Sequence, residues 1–310
     1  MVTHQGWVHA FAFGRALRSL SLAGLAASFL PIALIATGHA ESAKIKSEEV
    51  DTEHMFGFTE GSEIGEKGET ELMSESTGRF GRTGGSYKQI TNLFEAKYTL
   101  TDRFRISAAA TLAYYDISGM TGLNDRSQAL VQSISFNARY RVLDHQNAPF
   151  ALTLSVEPRR SFVEDTSGAQ ADGIGTQFAA LADRELVADR LFGAFNLSYE
   201  LERTRLHGGP DISREATFGM GAGLTTLTVH GFFVGVEARY LRQYEGFPPN
   251  NFVGQAFYVG PTFYAKLGEN ALISAAWNSQ AWGSASGGSG AHDLVHFDRH
   301  QARMRLAVTF

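Results

Sequence analysis

The chain has 310 residues, a net charge of −5 at pH 7, 33 Gly, 23 Phe and no Cys. The lack of cysteine excludes a disulfide-stapled scaffold and a lipid-modified cysteine at a mature N-terminus. The acidic balance argues against a nucleic-acid-binding surface. We therefore expect no nucleic acid partner and no cofactor.

The beginning of the chain has the features of a secretory signal peptide. Residues 19–37 are uncharged, follow two arginines and end in Gly38-His39-Ala40, a small-x-small cleavage pattern. We predict a signal peptide over residues 1–40, with an N-terminal membrane anchor as the alternative. No later stretch has the about 20 apolar residues that a membrane-spanning helix needs.

Residues 41–67 are polar and acidic, and they show no sustained alternation. This composition is typical of an unfolded tail, although Phe56 and Phe58 interrupt it. We predict a periplasmic N-terminal segment that is either a disordered linker or a plug inside the domain that follows.

From residue 68 onward, alternating apolar and polar stretches of 10 to 16 residues are separated by turn residues. A period of two predicts β-strands, and a strand that crosses a bilayer at a tilt needs about 9 to 11 residues. We predict an all-β, antiparallel up-and-down transmembrane β-barrel of about 12 strands over residues 68–310. The predicted strands are 68–80, 87–100, 103–116, 128–142, 150–162, 175–187, 191–206, 215–228, 232–244, 254–267, 270–283 and 299–310.

The connections between these strands distinguish a barrel from a sandwich. Those after even-numbered strands are short, whereas those after odd-numbered strands are mostly longer, such as residues 117–127 and 284–298. An up-and-down membrane barrel has this pattern, with tight periplasmic turns and longer outer loops. A Greek-key sandwich would scatter its long connections.

Each strand has one apolar face, and we expect these faces to contact lipid. In the fourth strand this face is predicted to contain Leu130, Ile134, Phe136, Ala138, Tyr140 and Val142. Charge on a lipid-facing surface costs about 2–4 kcal/mol at the midplane, so charged residues should lie on the inward faces.

The predicted inward faces carry both acids and bases, which indicates a mixed hydrogen-bonded lumen rather than a selectivity ring of one charge. The predicted lumen-lining residues are Glu95, Lys97, Arg105, Arg139, Arg141, Glu157, Arg159, Glu200, Glu202, Glu237, Arg239, Lys266, Arg303 and Arg305. Gly219, Gly221 and Gly223 form an inward stripe with room for another backbone. A plug would place Phe56 and Phe58 there.

Two sets of residues are candidates for chemical sites. His292, His296 and His300 are candidates for a metal site, because one helical turn would bring two of them together. A solvated outer loop is the alternative, and we predict no metal. Ser213 near His207 suggests an outer-membrane lipid hydrolase, but the pair lacks a neighbour that would orient the base. We predict no catalytic residues and no enzyme.

The last strand alternates Ala302, Met304, Leu306, Val308 and Phe310 on one face. This pattern resembles the C-terminal signature of outer-membrane barrels. The resemblance implies that Phe310 is an assembly signal for the barrel-assembly machinery.

Residues 68–310 resemble a Gram-negative outer-membrane β-barrel of the porin-like class. Residues 65–71 (GEKGETE) and 100–104 (LTDRF) are similar to the start of twelve-stranded transporters grouped with aromatic-compound degradation pathways. Residues 56–61 (FGFTEG) resemble the opening of an uncharacterised proteobacterial family.

These resemblances imply a channel or transporter for small solutes in the outer membrane, surrounded by outer-membrane lipids, with both termini periplasmic. A closed structural or adhesion barrel with a filled lumen is the alternative.

Overall fold

Twelve β-strands close into one antiparallel barrel in the computed structural model, which describes residues 52–228, 232–288 and 290–310. Each strand pairs with its neighbours along the chain, and β1 pairs with β12 to complete the ring. The strands are β1 (Thr70–Phe80), β2 (Ser86–Thr101), β3 (Phe104–Ser118), β4 (Arg126–Leu143), β5 (Ala151–Val163), β6 (Gln170–Val187), β7 (Leu191–Leu206), β8 (Ile212–Leu227), β9 (Phe233–Glu245), β10 (Asn251–Lys266), β11 (Ala271–Ala285) and β12 (His300–Thr309).

The predicted all-β, up-and-down barrel is confirmed. The predicted signal peptide, residues 1–40, lies outside the described residues, as do residues 41–51, so its boundary stays a prediction. Among the residues that the structure describes, no helix is both long enough and apolar enough to cross a membrane.

The barrel has two ends, which differ less than the sequence predicted. The turn end carries the connections β2–β3, β4–β5, β6–β7, β8–β9 and β10–β11, and the loop end carries the others. At the loop end the strands continue past their predicted limits, so only residues 119–125 separate β3 from β4. Residues 286–299, between β11 and β12, remain long. Backbone hydrogen bonds between neighbouring strands continue at the loop end through residues of turn-forming types. The residue types alone therefore predicted strands that were too short.

A β-bulge in β4 reverses one predicted face. Thr111 pairs with Ser133 and Leu112 pairs with Val131, so one residue of β4 is skipped. Leu130 then packs against an interior cluster, while Val131 is 53% exposed on the outside. The bulge adds a residue to one strand and shifts the alternation beyond it.

Large apolar side chains cover the outer surface of the barrel, as the lipid-facing prediction requires. The charged side chains predicted to line the lumen lie on the opposite face, because successive strand residues point to opposite sides. The exposed set includes Leu72, Phe94, Ile106, Leu112, Phe136, Leu154, Phe178, Phe195, Leu224, Val236, Val259 and Trp277. The expectation that charged residues lie only on inward faces is wrong near the strand ends, where Arg160, Arg203 and Arg214 are exposed on the outer face.

The interior of the barrel contains residues 52–66, which we call the N-terminal segment. Met55, Phe56 and Ile64 in this segment have no exposed surface. The first two belong to an apolar cluster that includes Phe233 and Tyr264 on the barrel wall. A twelve-stranded barrel is wider than the eight-stranded kind that its own side chains fill. The N-terminal segment occupies the additional space.

Candidate functional site: the lumen and the N-terminal segment

The N-terminal segment begins with a compact loop whose two ends meet at Asp183 of β6. The Thr52 hydroxyl donates to Asp183 at 2.9 Å, and the Ser62 backbone N–H donates to the same carboxylate oxygen. The Gly61 N–H donates to the Glu53 carbonyl at 3.3 Å. Residues 52–62 therefore form a closed loop that projects from the turn end into the lumen.

The tip of this loop reaches the opposite wall, at Glu237 of β9. The backbone N–H groups of Phe58 and Thr59 donate to its carboxylate at 3.0 and 2.8 Å. Glu237 is 1% exposed, and Asn278 Nδ2 donates a further bond of 2.6 Å. Three N–H donors thus converge on one buried carboxylate, which fixes the tip across the lumen.

Glycine is required at position 57 in this tip. The residue has φ +81°, and an added Cβ would lie 2.6 Å from Ala276 Cβ and 2.8 Å from Glu237 Oε1. A side chain would strain the backbone in this left-handed conformation and would collide with the wall. Gly57 therefore allows the tip to approach the barrel closely.

The acidic side chains of the N-terminal segment contact arginine and lysine side chains of the wall. Glu53 pairs with the wall residues Lys97 (2.9 Å), Arg105 (2.6 Å) and Arg139 (3.0 Å). Glu60 pairs with Arg139 at 2.6 Å and with Arg305 at 2.8 Å. Arg305 also donates to the Gly57 carbonyl at 2.9 Å. These contacts connect the segment to β2, β3, β4 and β12.

The two aromatic side chains of the N-terminal segment have different surroundings. An added Cβ at Gly223 would lie 3.0 Å from Phe56, so Phe56 packs on the glycine stripe as expected. The ring of Phe58 instead lies between two guanidinium groups, at 3.8 Å from Arg239 and 4.2 Å from Arg303. Thr59 is the residue that contacts Gly221.

Water-accessible space lies on both sides of the N-terminal segment. At the turn end, a cavity of about 850 Å³ is lined by Glu63, Arg141, His145 and Lys266, among others. Towards the loop end, Arg159 pairs with two acids on the inward faces of β5 and β7, and its side chain remains 32% exposed. The N-terminal segment lies between these two regions.

A histidine in the β4–β5 connection contacts the carboxylate that closes the segment's loop. His145 Nε2 lies 2.7 Å from Asp183 Oδ1. This hydrogen bond to Asp183 raises the pKa of His145, an effect that partial burial opposes. The imidazolium form is therefore favoured beside Asp183.

Two connections fold inward at the loop end. In the β5–β6 connection, Asp165 contacts Arg79 at 2.5 Å and accepts a hydrogen bond from Gln132. Burial by itself would raise the pKa of Asp165, but Arg79 and Arg159 outweigh it and lower the pKa to about 2. In the β11–β12 connection, Asp298 pairs with Arg82 at 2.7 Å.

The predicted lumen-lining residues fall into three groups. Those in contact with the N-terminal segment are Lys97, Arg105, Arg139, Arg141, Glu237, Arg239, Arg303 and Arg305. Others interact with the wall, since Glu95 accepts from Ser107, Glu157 accepts from Asn137 and Arg159 pairs with Glu200 and Glu202. Lys266 lines the turn-end cavity.

The lumen-lining residues predicted from the sequence do not include Asp183, Asn196 or Asn278, although all three contact the N-terminal segment or its anchor Glu237. Asn196 exchanges hydrogen bonds with the backbone of Glu60. The prediction of lumen-lining residues used only charged residue types, so it could not include the two asparagines. Their polar side chains at inward strand positions would have indicated them.

The histidine and serine candidates contact different neighbours in the described residues. His296 contacts Asp293 at 3.0 Å, and His300 contacts Ser279 at 2.9 Å. His207 lies 3.4 Å from Asp172, whereas the Ser213 hydroxyl donates to Glu215.

Among the residues that the structure describes, Glu53, His54 and Glu71 form a group with metal-binding composition. Lys97 Nζ lies 2.9 Å from Glu53, 2.7 Å from Glu71 and 3.3 Å from His54. An ammonium group therefore already supplies the positive charge at this cluster.

Comparisons with known proteins agree with the architecture. An outer-membrane channel of COG4313 from Pseudomonas putida F1 is similar with a TM-score of 0.55 and 12% identity, over 80% of this chain and 98% of that chain. The NanC porin has a TM-score of 0.47 and 8% identity, over 76% and 98% of the two chains. The translocator domain of the autotransporter NalP from Neisseria meningitidis has a TM-score of 0.46 and 15% identity, over 80% and 91%.

The likeness to the COG4313 channel concerns the fold, and together with the closed twelve-stranded barrel it confirms the predicted resemblance to porin-like outer-membrane barrels at that level. No curated protein matches the chain in sequence. Residues 48–310 match a family of unknown function, DUF6662. Because this match covers most of the chain, the protein belongs to the DUF6662 family.

Proposed function

We propose that the protein is an outer-membrane channel for small solutes, and that the N-terminal segment closes it from inside. The observation that carries this proposal is the position of the segment, which crosses the lumen between two water-accessible regions. In the proposed orientation the turn end faces the periplasm and the loop end faces outward.

The contacts that hold the segment are suited to release. When it leaves, Glu53 and Glu60 and their cationic partners all become accessible to water in the lumen. Breaking an internal ion pair is costly when one charge stays buried without a partner. Release of the segment leaves no charge in that situation. Hydration offsets much of the lost attraction, so docking and release can be close in free energy.

Apolar contacts favour the closed state. Met55, Phe56 and Ile64 are fully buried, and full burial of such a side chain contributes about 1.5–3 kcal/mol. The same observation favours the alternative function, a closed structural barrel whose filled lumen never opens. Conductance distinguishes the two functions.

The test compares three proteins in planar lipid bilayers. These are the mature chain, a variant lacking residues 41–66, and a variant lacking only residues 41–51, which keeps every contact described above. We expect single-channel conductance from the first deletion and low open probability from the other two proteins. Heat-modifiable migration in SDS establishes that each barrel is folded.

A folded barrel without residues 41–66 that does not conduct would reject the channel and support the closed barrel. Equal conductance of all three proteins would reject closure by the N-terminal segment.

A further inference from the structure

Four arginines lie together on the outer surface near the loop end of β5, β7 and β8. We call this set the basic patch, and its members are Arg160, Arg203, Arg205 and Arg214. All four are exposed. They are separate from the lumen and from every contact of the N-terminal segment.

The register of the strands places these side chains outside the barrel. Arg159 contacts Glu200 and Glu202 in the lumen, so Arg160, Arg203 and Arg205 at alternate positions point outward. On β8, Gly221 faces the N-terminal segment, and Arg214 has the opposite parity. The pairing of β6, β7 and β8 around the patch is regular.

The basic patch has more positive charge than the chain neutralises. Arg160 donates to Asp172 at 2.7 Å. In the described part of the chain, no carboxylate forms an ion pair with Arg203, Arg205 or Arg214.

Two of these arginines directly oppose each other. Arg203 of β7 pairs in register with Arg214 of β8. Like charges at directly opposite positions destabilise a sheet. An anion that bridges the two guanidinium groups would remove this cost.

Apolar side chains border the basic patch on the side nearer the membrane centre. Ile174, Phe178, Leu197 and Met220 on β6, β7 and β8 are 54%, 49%, 38% and 38% exposed. The surface therefore changes along the strands from apolar to strongly basic. A ligand that could contact both the apolar strip and the basic patch is an amphiphile with an anionic headgroup.

We propose that the basic patch binds the phosphorylated headgroup of a lipid in the leaflet at the loop end, with the acyl chains along the apolar strip. Guanidinium groups bind phosphate through paired, charge-assisted hydrogen bonds, and basic clusters at the bilayer boundary bind anionic lipid headgroups. The inference rests on the membrane location in the proposed function but not on conductance, so the two can fail separately.

Native mass spectrometry of the mature protein in dodecyl maltoside micelles tests the inference, with bisphosphorylated lipid A as the probe. The test variant is Arg203→Gln with Arg214→Gln. The matched control is Arg184→Gln with Arg190→Gln, which removes the same charge from exposed positions at the turn end. We expect about a tenfold loss of lipid A affinity per patch arginine, or about a hundredfold for the pair, and no loss in the control.

Several results would overturn the proposal. These are equal lipid A affinity in patch and control variants, equally strong retention of phosphatidylcholine, or displacement of lipid A by equimolar inorganic phosphate, which would indicate a site for free anions. If the double variant does not fold, the single variants Arg203→Gln and Arg214→Gln replace it, each with an expected loss of about tenfold.

Discussion

Replacing Glu237 by glutamine should release the tip of the N-terminal segment without changing the shape of the wall. Three N–H donors, from Phe58, Thr59 and Asn278, converge on this buried carboxylate at 2.6 to 3.0 Å. Glutamine keeps one acceptor oxygen and places an NH₂ group where the other oxygen was. The remaining oxygen can still accept from Phe58 and Thr59 when the NH₂ group faces Asn278, whose Oδ1 has no other partner among the described residues. Both bonds from the N-terminal segment then lose the negative charge on their acceptor.

The size of the effect follows from the two bonds that are weakened. A hydrogen bond to a charged group contributes about 1.5–3 kcal/mol, and one between neutral groups contributes about 0.5–1.5 kcal/mol. Because the bonds from Phe58 and Thr59 each lose about 1 kcal/mol, we expect docking to weaken by about 2 kcal/mol in total. This corresponds to about a thirtyfold shift from the docked towards the released segment.

Single-channel recording measures this shift as a higher open probability of Glu237→Gln. The matched control is Glu200→Gln, which changes an inward carboxylate that pairs with Arg159 and makes no contact with the N-terminal segment. An unchanged closed state in Glu237→Gln, in a barrel that opens when residues 41–66 are removed, would refute the reasoning. So would equal opening of the Glu200→Gln control.

Three further predictions concern the turn end and the N-terminal segment. The contact with Asp183 raises the pKa of His145, and both residues belong to the barrel itself, so this contact should stabilise the folded barrel fully below about pH 6.5 and lose its contribution as pH rises through the raised pKa. The barrel should therefore unfold in SDS at a lower temperature at pH 8.5 than at pH 5.5, and this difference should be smaller in His145→Gln; an equal difference would contradict it. Gly57→Ala should open the channel more than Gly68→Ala, since both glycines have positive φ but only position 57 would collide with the wall; equal effects would contradict this. Cysteines at Thr59 and Gly221 should form a disulfide, because the Thr59 Cβ lies 3.8 Å from an ideal Cβ at position 221; mass spectrometry showing both thiols free under oxidation would place the segment elsewhere.

Much of the fold could be read from the sequence because strand formation leaves a local signal. Apolar side chains against lipid and polar ones inside give a period of two that needs no knowledge of the neighbours. The strand β7 (Leu191–Leu206) coincides with its predicted limits of 191–206. The face of Leu130 was mispredicted, since the bulge that turns it inward depends on pairing between β3 and β4.

The inward direction of the lumen-lining charges could also be predicted from the local sequence. Their ion-pair partners could not, because those partners lie far away in the chain. Glu53 meets Arg139, and Glu60 meets Arg305, only after the barrel has closed with a particular stagger of its strands. The same closure places Phe58 between Arg239 and Arg303. The sequence alone therefore determined which face of each strand is polar, because that depends on the residue and its parity. The tertiary structure decided which charges pair and where the N-terminal segment lies, because those contacts join residues that only the closed ring brings together.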